Sequence, residues 1–134
     1  MSENTNLTTV VLGVGANCGD RARSVAKAIS WISEMLEDSE SSSIYETPAY
    51  GHAGGPYMNA VVRGVCPAGI AVERLERECK LYEAAHGRDA ESRRQKIVPI
   101  DIDIVMAGAD ILRPADFGCS FFQIGFKEIS EKGR

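Results

Sequence analysis

Val98-Pro99-Ile100-Asp101-Ile102-Asp103-Ile104-Val105, VPIDIDIV, alternates isoleucine with aspartate inside a run of β-branched residues. Side chains of a strand point alternately to opposite faces, so Ile100, Ile102 and Ile104 share one face and Asp101 and Asp103 the other. Aspartate is depleted in strands and adjacent carboxylates repel, so the pair calls for a compensating positive charge. A divalent cation supplies it. Oxygen ligands suit magnesium, which ordinarily takes one or two protein carboxylates plus substrate phosphates. The plainer alternative is a solvated acidic face.

Working outward, the segment just upstream, RDAESRRQK from Arg88 to Lys96, gathers Arg93, Arg94 and Lys96 in what reads as a loop. At the other end of the chain, Thr8 to Val14 reads as a buried first strand, closed by the glycine-punctuated turn GANCGD. Asp20 caps a helix in which Val25, Ile29, Ile32 and Leu36 share one apolar face, and that helix ends near Glu37. Beyond the serine-rich DSESSS come a short strand around Ile44-Tyr45 and a broken loop from Thr47 to Pro56 that is long for a mere connection. Tyr57 to Val65 is a third strand. A second helix starts at Pro67-Ala68-Gly69, carries Ala71, Leu75, Cys79 and Tyr82 at helical spacing, and is stopped by Gly87. The acidic strand is then the fourth. The order β-α-β-β-α-β predicts an α+β, ferredoxin-like sandwich, an antiparallel sheet with its helices on one face.

A chain of 134 residues is read as one domain, 1–134, with residues 1–7 expected as a flexible N-terminus. Hydrophobic residues make up 44% and charged residues 25%, and no apolar run approaches the roughly 20 residues needed to cross a bilayer. Met1 to Asn6 carry no secretory pattern, so the expected location is the cytoplasm, with no membrane partner. Cys18, Cys66, Cys79 and Cys119 form no C-x-x-C pair and lie in no metal-ligand spacing with His52 or His86, which reads as reduced thiols. A net charge of -4 argues against a nucleic-acid binder and for a small partner.

The loop YETPAYGHAGGPYMN interleaves Tyr45, Tyr50 and Tyr57 with glycines and the amide of Asn59, the equipment of a pocket for a flat, hydrogen-bonding heterocycle. The glycine-rich GVGANCGD lacks both the dinucleotide pattern and the Lys-Ser/Thr ending of a phosphate loop, and is read as a turn. Phe121-Phe122 and Tyr82 read first as core.

Taken together, GVGANCGDR, YETPAYG, YMNAVV, EAAHGR and DIDIV, in order along nearly the whole chain, resemble the 6-hydroxymethyl-7,8-dihydropterin pyrophosphokinases of folate biosynthesis. The resemblance implies a ferredoxin-like fold and transfer of pyrophosphate from MgATP to the hydroxymethyl group of a dihydropterin, leaving AMP. It implies that Asp101 and Asp103 hold two magnesium ions. It implies a pterin slot with rings from Tyr57 and Phe121, an edge contact from Asn59, and backbone from Thr47, Pro48 and Tyr50. Arg88 matches a family arginine near the nucleotide. The chain departs from the family pattern at Ala90, Val98 and Cys119, where the family has arginine, at Gln95, where it has tryptophan, and at Ala115, where it has histidine. In a working enzyme Arg93, Arg94, Lys96 or Arg113 would supply the replacement charge, with Arg88, Arg93 and Arg94 as catalytic groups and Lys96 and Arg113 beside ATP. Two alternatives stay open: a weak or silent relative that still binds pterin or nucleotide, and a pyrophosphokinase of another heterocycle.

Overall fold

The computed structural model describes residues 7–49 and 55–132. Strand β1 (Thr8–Ala16) is followed by helix α1 (Arg21–Met35), strands β2 (Glu37–Ser41), β3 (Tyr45–Thr47) and β4 (Tyr57–Cys66), helices α2 (Val72–Ala85) and α3 (Ala90–Arg94), strands β5 (Asp101–Ala107) and β6 (Asp110–Ile111), and helices α4 (Pro114–Phe117) and α5 (Ser120–Lys132). The strands form one antiparallel sheet in the order β2-β4-β1-β5-β6, and β3 continues the β2 edge of β4. With β2 and β3 counted as one interrupted strand, this is the ferredoxin-like arrangement.

The alternation of VPIDIDIV decides how the layers stack. Ile100, Ile102 and Ile104 join Val10, Leu12, Val14, Ala60 and Val62 beneath α1 and α2, whose Val25, Ala28, Ile32, Leu75 and Cys79 close the larger core. Each valine, leucine or isoleucine among them taken out of water contributes about 1.5–3 kcal/mol. The opposite face carries a second, smaller core of Val11, Val61, Val105, Phe122 and Ile129 under α5. Two helices thus share one face as expected, and α5 adds a layer on the other that the sequence reading left out. Its burial pattern has a helical period, with Phe122, Gly125 and Ile129 turned inward.

Three boundaries differ from the sequence reading. The stretch EDSES is strand β2 rather than irregular: it lies along the edge of β4, where Glu40 pairs with Arg63, so tertiary pairing overrides weak strand propensity. The second helix begins at Val72, after a turn in which Ile70 N–H donates to Pro67 O at 3.1 Å. It ends before Gly87, whose φ of +103° suits a residue without a Cβ. The basic segment contains the short helix α3, with Asp89 and Ser92 forming a reciprocal N-cap. Tyr82 packs between Trp31 and His86, with ring centroids 4.6 and 3.9 Å away, at the rim of the larger core. All four cysteines are free. Among the described residues no helix is long and apolar enough to cross a membrane.

Candidate active site

Register builds the site. Asp101 and Asp103 of β5 lie opposite Gly15 and Gly13 of β1, and Gly15 lies opposite Asn59 of β4. Each carboxylate therefore faces a neighbour with no side chain. At Gly15 that gap matters: a Cβ there would sit 3.2 Å from Asn59 Oδ1 and 3.4 Å from a Tyr57 ring carbon. The floor left open is a cleft of about 350 Å³ on the α5 side of the sheet. Its walls include Thr47, Pro48, Tyr57, Asn59 and Phe121 at one end and Asp101, Asp103 and Arg113 at the other. Asn17 fixes the start of the acidic strand to the end of β1, its Oδ1 accepting from Val98 N–H at 2.6 Å and its N–H donating to Val98 O at 2.9 Å.

The acid pair draws its countercharge from α2 and the turn after it. Among the described residues β5 has no strand partner on its outer side at Asp101 to Ile104, because β6 pairs only with Met106 and Ala107. Side chains take that place. Buried Glu83 accepts from Ile102 N–H at 2.7 Å, Lys80 Nζ donates to Ile102 O at 3.0 Å, and Arg88 Nη1 donates to Ile100 O at 3.2 Å. The same two cations reach the acids: Lys80 Nζ stands 3.1 Å from Asp103 Oδ1, and Arg88 Nη1 stands 3.1 Å from Asp101 Oδ1. Lys80 also donates to Glu83 at 3.0 Å, and Arg113 Nη1 lies 3.9 Å from Asp103. Burial and the neighbouring Asp101 charge nevertheless push the Asp103 carboxyl up to about 6, against a pull downward from Lys80 and Arg113. The surrounding carboxylates raise Lys80 despite its burial, so it stays charged. The pair thus remains short of positive charge.

At the other end, buried Asn59 spends its amide N–H groups on Thr47 Oγ1 at 2.7 Å, Tyr57 O at 3.4 Å and Tyr45 O at 3.5 Å. Its Oδ1 is left over Gly15, an acceptor facing the cleft. Tyr57 and Phe121 supply half-buried rings, while Phe122 turns into the smaller core. Tyr45, which the sequence reading placed among the pocket aromatics, braces the wall from behind: its hydroxyl donates to Phe121 O at 2.5 Å and accepts from Gly125 N–H at 3.1 Å. Burial pushes that phenol up to about 12.

The fold thus brings Thr47, Pro48, Tyr57, Asn59, Phe121, Asp101, Asp103 and Arg113 to one cleft, with Arg88 on its acid pair. Arg93, Arg94 and Lys96 are exposed on and just after α3, outside the cleft lining, with Arg94 paired to Glu91. Tyr50 lies outside the described residues. Lys80 and Glu83 were missed by the sequence reading. A signal for Glu83 existed: Leu75, Cys79 and Glu83 fall at spacings of four, so the apolar stripe of α2 ends in a carboxylate that needs a partner.

Two comparisons bear on this arrangement. Residues 11–131 match the family model described as 7,8-dihydro-6-hydroxymethylpterin-pyrophosphokinase. A curated protein of Aquifex aeolicus (strain VF5) named 2-amino-4-hydroxy-6-hydroxymethyldihydropteridine pyrophosphokinase is 34% identical over 110 residues. The aligned part covers 80% of this chain and 66% of that relative, so the chain matches just under two thirds of the relative's length.

Proposed function

The chain belongs to the 7,8-dihydro-6-hydroxymethylpterin-pyrophosphokinase family, and from that premise we propose that it transfers pyrophosphate from MgATP to the hydroxymethyl group of a dihydropterin, releasing AMP in the cytoplasm. One observation supports this most: an acid pair facing a glycine pair shares a single cleft with a ring-walled slot and the buried acceptor Asn59. The residues fit hard divalent cations. Asp101 and Asp103 offer oxygens alone in a site short of positive charge. Among the described residues no group of three or more His, Cys, Asp or Glu could hold an ion, which leaves further positions to water and phosphate oxygens. Two magnesium ions on the pair would neutralise the triphosphate and lower the barrier at the attacked phosphorus.

The rest falls to the chain's own groups. Tyr57 and Phe121 hold the flat ring system, and Asn59 Oδ1 accepts from its N–H edge, with backbone of Thr47 and Pro48 completing the slot. The ring's hydroxymethyl group is thereby aimed along the cleft toward the acids, where attack at the β-phosphorus breaks its bond to the oxygen bridging to the α-phosphate, AMP leaves, and the hydroxyl proton is lost to solvent. Arg113, at the acid end, donates to phosphate oxygens as charge moves. Arg88 sets Asp101 in place and borders the nucleotide. Arg93, Arg94 and Lys96 reach the phosphates only through closure of the α3 segment. Little covalent work is needed from the protein, since positioning and charge dominate such transfers.

Mixing the protein with MgATP and 6-hydroxymethyl-7,8-dihydropterin and measuring AMP gives the test. Turnover that is lost in the Asp101→Asn/Asp103→Asn variant, with its fold retained, is the expected result. Parent protein that binds the pterin and forms no AMP overturns the enzymatic reading. It would favour the silent binding relative, which Ala115 and Cys119 on the cleft wall, where the family has histidine and arginine, support.

A further inference from the structure

Lys80 reaches one carboxylate of the acid pair from outside the cleft lining. Its Nζ is 3.1 Å from Asp103 Oδ1, 3.0 Å from Glu83 Oε2 and 3.0 Å from Ile102 O, and 4.0 Å from Glu76. An ammonium has three protons to donate, and its three short partners use them. Yet its side chain remains 42% exposed, so it can withdraw without opening the core. From this geometry we propose that Lys80 is a built-in counter-ion for Asp103, one that a divalent cation must displace to take both carboxylates.

The proposal rests on the reading of Asp101 and Asp103 as metal ligands and adds a consequence specific to this chain. In the apo state Lys80 offsets part of the repulsion within the pair and keeps Asp103 in place. On metal arrival Lys80 retains Glu83 and Ile102 O, so its release from Asp103 costs one ion pair rather than stranding a charge. The remaining cations near the pair differ: Arg88 is committed to Asp101 and Ile100 O, and Arg113 to Asp116 at 2.6 Å, with Asp103 only at 3.9 Å. Lys80 is thus the one of the three whose displacement a metal on Asp103 requires. It sets the metal concentration at which the site fills, and it makes this affinity adjustable at a residue outside the cleft.

The measurement is titration of the full chain with Mn²⁺ alone, followed by electron paramagnetic resonance, for the parent, Lys80→Gln, Lys80→Met and Asp101→Asn/Asp103→Asn. Glutamine keeps a donor for Ile102 O and removes the charge. Loss of a charge-assisted partner predicts about tenfold tighter Mn²⁺ binding in both Lys80 variants. Equal affinity in the parent and Lys80→Gln, with binding lost in the double aspartate variant, overturns the role of Lys80 while leaving the metal reading standing. Mn²⁺ binding that survives in the double aspartate variant at the parent's affinity overturns the metal reading itself, and the role of Lys80 with it. A second measurement needs no variant: reductive methylation of the parent, read by mass spectrometry at Lys80, should speed up severalfold when Mn²⁺ is added. An unchanged or slower rate overturns the displacement.

Discussion

Replacing Asp103 with asparagine should make the protein more stable and less able to bind metal. The side chain is 15% exposed, and its carboxyl titrates near 6 in the fold against 3.8 as the ordinary value, even with Lys80 and Arg113 pulling the other way. A group whose folded pKa is raised binds a proton more readily when folded, so it contributes stability below about pH 3.8 that is lost as pH rises toward 6. The shift of about 2 units corresponds to roughly 3 kcal/mol at pH 7, at about 1.4 kcal/mol per unit, as an upper figure. Asparagine keeps the shape without the charge, and Lys80 retains Glu83. The expected gain is roughly 1–3 kcal/mol at pH 7 without magnesium, which for a chain of this size raises Tm by about 3–5 °C per kcal/mol. Thermal melts from pH 4 to pH 7 in chelator should show the gap between variant and parent opening as pH rises. Magnesium should reverse the trend, since the parent alone gains about 2.7 kcal/mol at a hundred times its dissociation constant. A variant less stable than the parent at pH 7 in chelator would refute the account of Asp103 as an undercompensated charge.

The two ends of the cleft should respond separately. Asn59→Ala and Phe121→Ala should each weaken dihydropterin binding by about 1–3 kcal/mol in calorimetry and leave MgATP affinity near the parent's; equal losses for both ligands would count against the slot. Arg113→Ala should lower kcat by about 10²-fold with little change in pterin affinity, as removal of a donor aimed at developing charge does, and neutralising Arg93 and Arg94 together should do the same if α3 closes; single-turnover AMP formation distinguishes them. Gly125→Ala inverts the usual preference for alanine in a helix, because the added carbon would stand 2.7 Å from Val61, 2.8 Å from the Tyr45 hydroxyl and 2.9 Å from Ser42 Oγ. Denaturant unfolding should show a loss of about 1–3 kcal/mol, and a stabilised variant would mean that α5 sits less tightly on the sheet.

Local pattern carried most of the fold. The two-residue period of VPIDIDIV placed three isoleucines under α2 and two acids in the cleft, and the stripe of Val25, Ile29 and Ile32 placed α1. What stayed hidden depends on partners distant in the chain. Glu37 to Ser41 has no intrinsic reason to be extended, and becomes so through register with β4. Helix α5 contains the pair Phe121-Phe122, which reads as core without revealing a helical layer. Phe121 and Phe122, adjacent in sequence, both border the cleft, but only Phe122 is fully buried in the smaller core, because the helix turns between them. Lys80 and Glu83 act on β5 across an edge, 22 and 19 residues away for their bonds to Ile102, which no spacing rule reads. Arg93 and Arg94 were singled out by charge density. Their helix, capped by Asp89 and Ser92, instead holds them in solvent.

The side-chain cover on the outer edge of β5 has a consequence for how these molecules coexist at high concentration. A bare strand edge is a template for another chain, and one bordered by isoleucines would be an inviting one. Here an incoming strand would find Ile102 N–H held by Glu83, Ile102 O by Lys80 and Ile100 O by Arg88. It would have to strip three charged groups from the edge before forming its first backbone bond. The groups that hold the acids in place therefore also discourage self-association by strand addition, and weakening any one of them exposes the protein to aggregation through the strand that carries its acid pair.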